Sequence, residues 1–165
     1  MGKWNADIAA AAKATGLDPN LLGAQIWAES RGNLDTHTTN ADGTTDYGLL
    51  QIGKERWLRD IVPHLSADDR AKIKEATGKE AENLDVAHNA RDNLVAGGFH
   101  VKGCIAAQGS VELGLRYYNT GNVDGAGSNG YVKNVLEYKR ELEAGEKLKQ
   151  DPYSGENGTA RAGQV

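Results

Sequence analysis

The chain has a single cysteine, Cys104. No disulfide can form within it, so stability has to come from packing. One thiolate has no partner at finger-like spacing, which excludes a cysteine-built zinc site. Cys104 reads as a small buried apolar residue, with an incidental exposed thiol as the alternative. Long hydrophobic runs are missing as well. The N-terminal "MGKWNADIAAAAKATG" holds an alanine run but no apolar core followed by a cleavage pattern. Nothing reaches the length of a membrane span. No signal peptide and no membrane partner are expected, so the chain is made in the cytoplasm or is a piece of a longer protein. The Met-Gly start is not a myristoylation signal, because position six is Ala6. A basic surplus is also lacking. The net charge of -4 and the pI near 5.6 argue against a nucleic-acid partner. They leave a neutral glycan open, since such a polymer needs little electrostatic steering.

What is present suits one globular domain. The 165 residues, 39% hydrophobic and 25% charged, are enough for one core. The pattern is almost entirely helical. Asn5 is placed to cap a first helix through Ala14, closed by Gly16. Asp18 followed by Pro19 predicts a second helix from Pro19 to Ser30, ended by Gly32. Residues 33–48, rich in Thr, Asn and Asp, break the pattern, and Asp42-Gly43 is a hairpin-turn pair. A two- or three-stranded β element is expected there. A helical segment resumes near Leu49 and stops before Pro63. Ser66 with Asp69 makes a capping box for a helix ending at Gly78. A long apolar-periodic segment spans about Leu84 to Ala107. Its Gly97-Gly98 pair costs roughly 2 kcal/mol against alanine, tolerable where another helix packs closely. Ser110 caps a short helix through Tyr118, and residues 119–130 form a glycine-rich loop. A last helix covers Tyr131 to about Lys149. The domain is assigned to residues 1–150. The tail 151–165 is polar, without apolar period, and is expected to be disordered.

One carboxylate stands out. Leu22, Ile26 and Glu29 share a helix face at i, i+4 and i+7. Glu29 should then point where the core side chains point. Desolvation there disfavours the charged form, and a carboxyl held neutral is what a general acid must be. Spacing alone leaves open a helix-end glutamate that turns to solvent or pairs with Arg31 or a distant lysine.

Three further clusters follow in order: "TTNADGTTDYGLLQI" (38–52), "RYYNTGN" (116–122) and "NGYVKNVLEY" (129–138). Singly, their tyrosines read as packing residues and Gln51 as a surface or capping amide. Together with Glu29-Ser30 they resemble the lysozyme-like superfamily, most closely the soluble lytic transglycosylase domain. The family's Glu-Ser, Gly-Leu-Met-Gln, Ala-Tyr-Asn and final-helix tyrosine correspond to Glu29-Ser30, Gly48-Leu49-Leu50-Gln51, Tyr117-Tyr118-Asn119 and Tyr131. Asn93, Leu94 and Gly97 resemble the family's Asn-Ile-x-x-Gly helix. The resemblance covers most of residues 17–140. Leu50 replaces a methionine that lines the family's cleft, and Tyr117 replaces an alanine. The stretch "NADGTTDYGLLQI" also resembles the hairpin of animal-type lysozymes, where the aspartate before Tyr-Gly is the second catalytic carboxylate. That position is Asp46, 17 residues after Glu29 (46 − 29). Some secretion-associated transglycosylases carry Asp-Tyr-Gly at the same point, and a hairpin aspartate bonding nearby amides and threonines is the plain alternative.

The resemblance implies a mainly α, α+β lysozyme-like fold, with a small β-hairpin flanking the active-site cleft. It implies cleavage of the β-1,4 bond between N-acetylmuramic acid and N-acetylglucosamine in peptidoglycan, with no metal and no cofactor. Glu29 is the implied general acid and base. Tyr118 would orient it by a hydrogen bond. Gln51 and Asn119 would bind acetamido or hydroxyl groups, and Ser30 and Tyr131 would shape the cleft. A hydrolytic muramidase using Glu29 and Asp46 is the alternative enzyme, and a non-catalytic glycan-binding virion module the alternative of another class. The expected partner is the peptidoglycan strand, bound by a monomer. The missing export signal suggests a phage lysis or virion-associated setting.

Overall fold

The computed structural model describes residues 2–121 and 129–145. Expectations for the 122–128 loop and for the chain beyond residue 145, including the 151–165 tail, lie outside the described residues. The first helix, α1 (Asn5–Thr15), begins at Asn5 rather than after it. Trp4 holds the cap position without capping the helix, its indole N–H donating instead to the Gly32 carbonyl, and Gly16 closes the helix in left-handed geometry. In α2 (Pro19–Ser30) the Asp18 carboxylate accepts from the Asn20 N–H and proline occupies the first turn. The stop is not Gly32 but Arg31, itself left-handed at φ 55°.

Two short strands follow, β1 (His37–Thr39) and β2 (Thr45–Tyr47), paired antiparallel with Thr38 opposite Asp46. Residues 40–44 connect them, so Asp42-Gly43 sits inside a longer loop instead of forming a two-residue turn. The Asp42 carboxylate accepts from the Thr44 N–H and hydroxyl, and Gly43 takes φ 86°. Helix resumes at α3 (Lys54–Arg56), not at Leu49. Residues 48–51 form a tight turn, and Tyr47 and Ile52 exchange backbone bonds across it. A π-helical turn, Trp57–Ile61, and a 3-10 turn, Val62–His64, extend α3. Pro63 lies inside that 3-10 turn near its start, where a missing N–H costs little.

The capping box forms as expected at α4 (Ala67–Thr77), with Ser66 and Asp69 bonding reciprocally. The long helix α5 (Ala90–Gln108) starts later than Leu84, because Asn89 caps it by accepting from the Asp92 N–H. Leu84 and Val86 are buried all the same. Their burial mimics helical periodicity in a segment that turns instead. Next come α6 (Val111–Thr120), capped by Ser110, and α7 (Asn129–Glu143). The described chain is thus mainly helical with one small antiparallel sheet, and none of its helices is long and apolar enough to cross a membrane.

Helix α2 is buried without interruption from Leu21 to Ser30. Leu22 and Ile26 join a larger core with Ile8, Leu50, Trp57, Leu94 and Phe99. Leu21, Ala24 and Ala28 join a smaller one with Leu115, Val132 and Val135. A helix enclosed on all sides is held by apolar burial worth about 1.5–3 kcal/mol per large side chain. It is therefore a stiff mount for whatever its last turn carries. Cys104 is buried at 5% exposure, and burial pushes its thiol up to about 11.

Candidate active site

Glu29 lies in the last turn of α2 on the face of Leu22 and Ile26, and it is only 3% exposed. Its carboxyl meets a cleft of about 460 Å³ between the hairpin and α6. Arg31 does not claim it: the guanidinium turns to the Trp27 ring, 4.9 Å from the centroid. Ser30 is fully buried, donating to the Ile26 carbonyl (3.1 Å) and accepting from the Gly32 N–H (3.2 Å). Its hydroxyl finishes the helix instead of shaping the cleft.

The hairpin forms one wall. Asp46 faces the same cleft as Glu29, and the Asn40 side-chain amide donates to its carboxylate at 3.2 Å. Asp42 and Thr44 line the rim. Two hydrogen bonds from Thr44 hold the Asp42 carboxyl below its usual range.

Behind the hairpin the 48–51 turn is pinned from three directions. Gly48 takes φ 78° and Gln51 φ 52°, a left-handed pair that a side chain at Gly48 would disfavour. The Gln51 carbonyl oxygen accepts from the Thr38 hydroxyl, and its amide nitrogen donates to the Thr36 and Gly48 carbonyls, all at 2.9 Å. Both N–H donors are thereby used. Gln51 lines the cleft, but it reaches a ligand only as an acceptor while it braces the hairpin. Asn93 of α5 clamps the turn from below. It accepts from the Leu50 N–H (2.9 Å) and donates to the Tyr47 (2.8 Å) and Val86 (2.7 Å) carbonyls. One turn on, Gly97 lets the turn settle onto α5, since a Cβ there would lie 2.6 Å from Leu50 Cδ1. The partner at Gly97 is therefore this turn, not a helix. Gly98 does face a helix, at Thr15 of α1.

On the opposite wall α6 presents Tyr117, Tyr118 and Asn119. The Tyr118 hydroxyl donates to the Leu50 carbonyl at 2.6 Å. Its only proton is thus directed at the turn, and toward other groups it can act only as an acceptor. Asn119 is exposed on the rim. Tyr131 of α7 stands outside the cleft lining with its hydroxyl buried. Burial first, then the charge of Glu29 and the nearby Tyr118, push that phenol well above its usual range.

Two residues of the cleft, His100 and Arg56, and one fully buried residue of α2, Gln25, escaped the sequence reading. His100 packs against Tyr118 with ring centroids 4.7 Å apart and the planes tilted by 45°. Burial, then the Arg56 charge, lower its pKa to about 4, so the imidazole is neutral near pH 7. The signal was available: Asn93, Gly97 and His100 fall at i, i+4 and i+7 of one helix face. Arg56, on α3, also lines the cleft, and no local pattern marked it. Gln25 lies one turn before Glu29, with 0% exposure.

Among the described residues no group of three or more His, Cys, Asp and Glu side chains is arranged to hold a metal ion. The site combines a shielded carboxyl, a second carboxylate across the cleft, and polar groups on both walls. Such an arrangement suits proton transfer to a bound polar ligand. No protein-family model and no solved structure matches the chain.

Proposed function

We propose that the protein is a peptidoglycan lytic transglycosylase with Glu29 as its acid and base, in a lysozyme-like arrangement of helices and hairpin. The observation that carries this reading is the burial of Glu29, at 3% exposure, on the wall of an open cleft. The ordered motifs around it supply the substrate class by resemblance.

Burial disfavours a charged carboxylate, so Glu29 meets the glycan as an acid and protonates the bridging oxygen between muramic acid and glucosamine. The C1–O bond breaks, positive charge gathers at C1, and the substrate's own N-acetyl group supports it. Glu29, now a carboxylate, takes the proton from the C6 hydroxyl of the same sugar. That oxygen closes on C1 to give a 1,6-anhydro ring, and no water is consumed. Tyr117 and Tyr118 offer aromatic faces to the sugar rings, while Asn119 and the Gln51 oxygen supply polar contacts.

A hydrolytic muramidase is the second reading, favoured by one observation: Asp46 lines the cleft that Glu29 meets. In that mechanism Asp46 attacks or stabilises C1, and water completes the reaction. The products separate the two. Purified peptidoglycan digested to completion should give muropeptides lacking one water at the muramyl end by mass spectrometry. Reducing ends alone would assign the hydrolase. Glu29→Gln, a near-isosteric change, should abolish lysis and leave the melting curve in place. Retained lysis would remove Glu29 from the chemistry. A third outcome, glycan binding without any cleavage by the native protein, would mark a binding module.

A further inference from the structure

A second cavity, of about 600 Å³, adjoins the cleft. It shares Asp42, Thr44, Asp46 and Arg56 with the cleft, so the two meet along the hairpin. The reaction proposed above leaves it unused. One of its sides is the stretch "KERWLR" (54–59), formed by α3 and the start of the π-helical turn. Trp57 anchors this stretch. It is 0% exposed, and its indole N–H donates to the Ala81 carbonyl at 2.8 Å. With Trp57 turned inward, its neighbours Lys54, Glu55, Arg56, Leu58 and Arg59 line the cavity.

The lining is unusual for an acidic chain. Residues 54–59 carry three basic side chains and one acidic, against a net charge of -4 overall. Arg59 is held by Asp60 through two hydrogen bonds. Lys54 and Arg56 make no ion pair among the described residues. Across from them, the carboxylates of Asp42 and Asp46 are partly offset by donors from Thr44 and Asn40. Leu58, large and apolar, is left exposed between the basic side chains.

We infer that this second cavity binds the acidic peptide branch of the glycan strand whose backbone occupies the cleft, with Lys54 and Arg56 facing its carboxylates and Leu58 its alanine methyl groups. The inference rests on the peptidoglycan reading of the cleft.

Two observations favour that occupant over further sugar units. The first is continuity. The sugar cut beside Glu29 is the muramic acid, which carries the peptide on its lactyl arm, so a branch has to leave the cleft close to the acid. Arg56 stands where the two cavities join. The second is chemistry. A neutral sugar gains little from two unpaired cations, whereas a peptide of alanine, γ-linked glutamate and a diamino acid brings several carboxylates and small methyl groups. Each exposed ion pair is weak, at about 0.2–1 kcal/mol in general. The branch is tethered to a strand already bound, however, and a short link gives it an effective concentration on the order of millimolar. Weak contacts then suffice to lower KM for strands that carry peptides.

The test compares soluble glycan strands that keep their peptides with strands stripped by an amidase. The native protein should show the lower KM on the peptide-bearing strands. Lys54 lines only the second cavity and is exposed, so Lys54→Glu should fold. It should raise KM on peptide-bearing strands roughly three- to tenfold and leave stripped strands unaffected. Equal KM for the two strands with the native protein overturns the inference. So does an equal rise on both in Lys54→Glu, which would assign the cavity to further sugars. A second measurement needs no cleavage. The free tetrapeptide, titrated into the native protein to about 10 mM, should shift the backbone amide signals of Lys54, Leu58 and Ala87 by NMR, and shift them less in Lys54→Glu. The same peptide with its carboxylates amidated should also shift them less. Unmoved signals overturn the inference. If the native protein cuts neither strand, the transglycosylase reading falls, and the titration still decides whether the cavity takes the peptide.

Discussion

Asn93 is the residue whose removal should travel furthest. It is 0% exposed and makes three hydrogen bonds of 2.7–2.9 Å, two joining α5 to the hairpin side of the cleft and one to the Val86 carbonyl ahead of α5. Asn93→Ala removes all three. The Tyr47 carbonyl keeps a bond from the Ile52 N–H, so its loss is small. The Leu50 N–H and the Val86 carbonyl lose the partner that Asn93 supplied, at about 1–3 kcal/mol for each group left unsatisfied. A small cavity adds about 1 kcal/mol. The expected loss is ~3–7 kcal/mol, a large share of a single domain's stability. Asn93→Asp is the sharper perturbation. One carboxylate oxygen still accepts from Leu50, but the other replaces the amide nitrogen and faces two carbonyl oxygens. At pH 7 this variant should be no more stable than the alanine one. Repulsion raises the aspartate's folded pKa above its unfolded value of about 3.9. The native state then takes up a proton on folding, and the variant should recover stability as the pH falls through that raised pKa. Urea melts followed by tryptophan fluorescence, with the buried Trp57 as reporter, measure both effects. Asn93→Ala within 1 kcal/mol of the parent, or Asn93→Asp equal to the parent at pH 7, would refute the clamp.

Gly97→Ala should destabilise by ~1–3 kcal/mol through overpacking against Leu50, despite alanine's better helix propensity, and should slow lysis because Leu50 carries the acceptor for Tyr118. Gly103→Ala on the same helix meets nothing within 4 Å and should instead stabilise by about 0.5–1 kcal/mol; equal effects at the two glycines in a thermal melt would sink the account. For His100, the folded pKa near 4 lies below the unfolded value of about 6.5, so below pH 6.5 the unfolded state binds the extra proton. Stability should therefore fall as the pH drops from about 6.5 to 4, by ~2 kcal/mol once partial exposure to the cleft is discounted. His100→Gln should lose less stability than the parent over that interval in parallel urea melts, and an identical acid loss would remove His100 as the cause.

Local chemistry was legible wherever one side chain decides one backbone group. Asp18-Pro19, the Ser66–Asp69 box and Ser110 mark helix starts because each satisfies an otherwise orphaned N–H within three residues. Glu29 was legible because its neighbours on the helix face are core residues. The misread boundaries have another origin. Leu49, Leu50, Leu84 and Val86 are buried by the tertiary fold while the chain is turning, and periodicity cannot distinguish burial in a turn from burial in a helix. The same limit applies to roles in the cleft. Gln51 and Ser30 are polar residues at motif positions, and nothing in the sequence shows that their hydrogen-bonding capacity is directed at the backbone.

These inward-directed bonds explain how a two-stranded hairpin can serve as a cleft wall. Two short strands are at best marginal in water, and a wall that moved by an ångström would lose the alignment that proton transfer needs. Here the hairpin is not left to its own ladder. Gln51 ties the turn to residues 36 and 38, Asn93 ties it to α5, and Tyr118 ties the Leu50 carbonyl to α6. Glu29 is fixed separately by a helix buried on every side. Glu29 and the wall facing it are thus referred to one rigid frame through α5 and α6, while rim residues such as Asp42, Tyr117 and Asn119 are exposed enough to adapt to a ligand. Substitutions in the ties should therefore reduce kcat before they affect KM, whereas substitutions on the rim should do the reverse. Steady-state kinetics of Asn93→Ala beside Asn119→Ala read that contrast, and the same kcat and KM response in both would mean that the wall is not held in the way the hydrogen bonds describe.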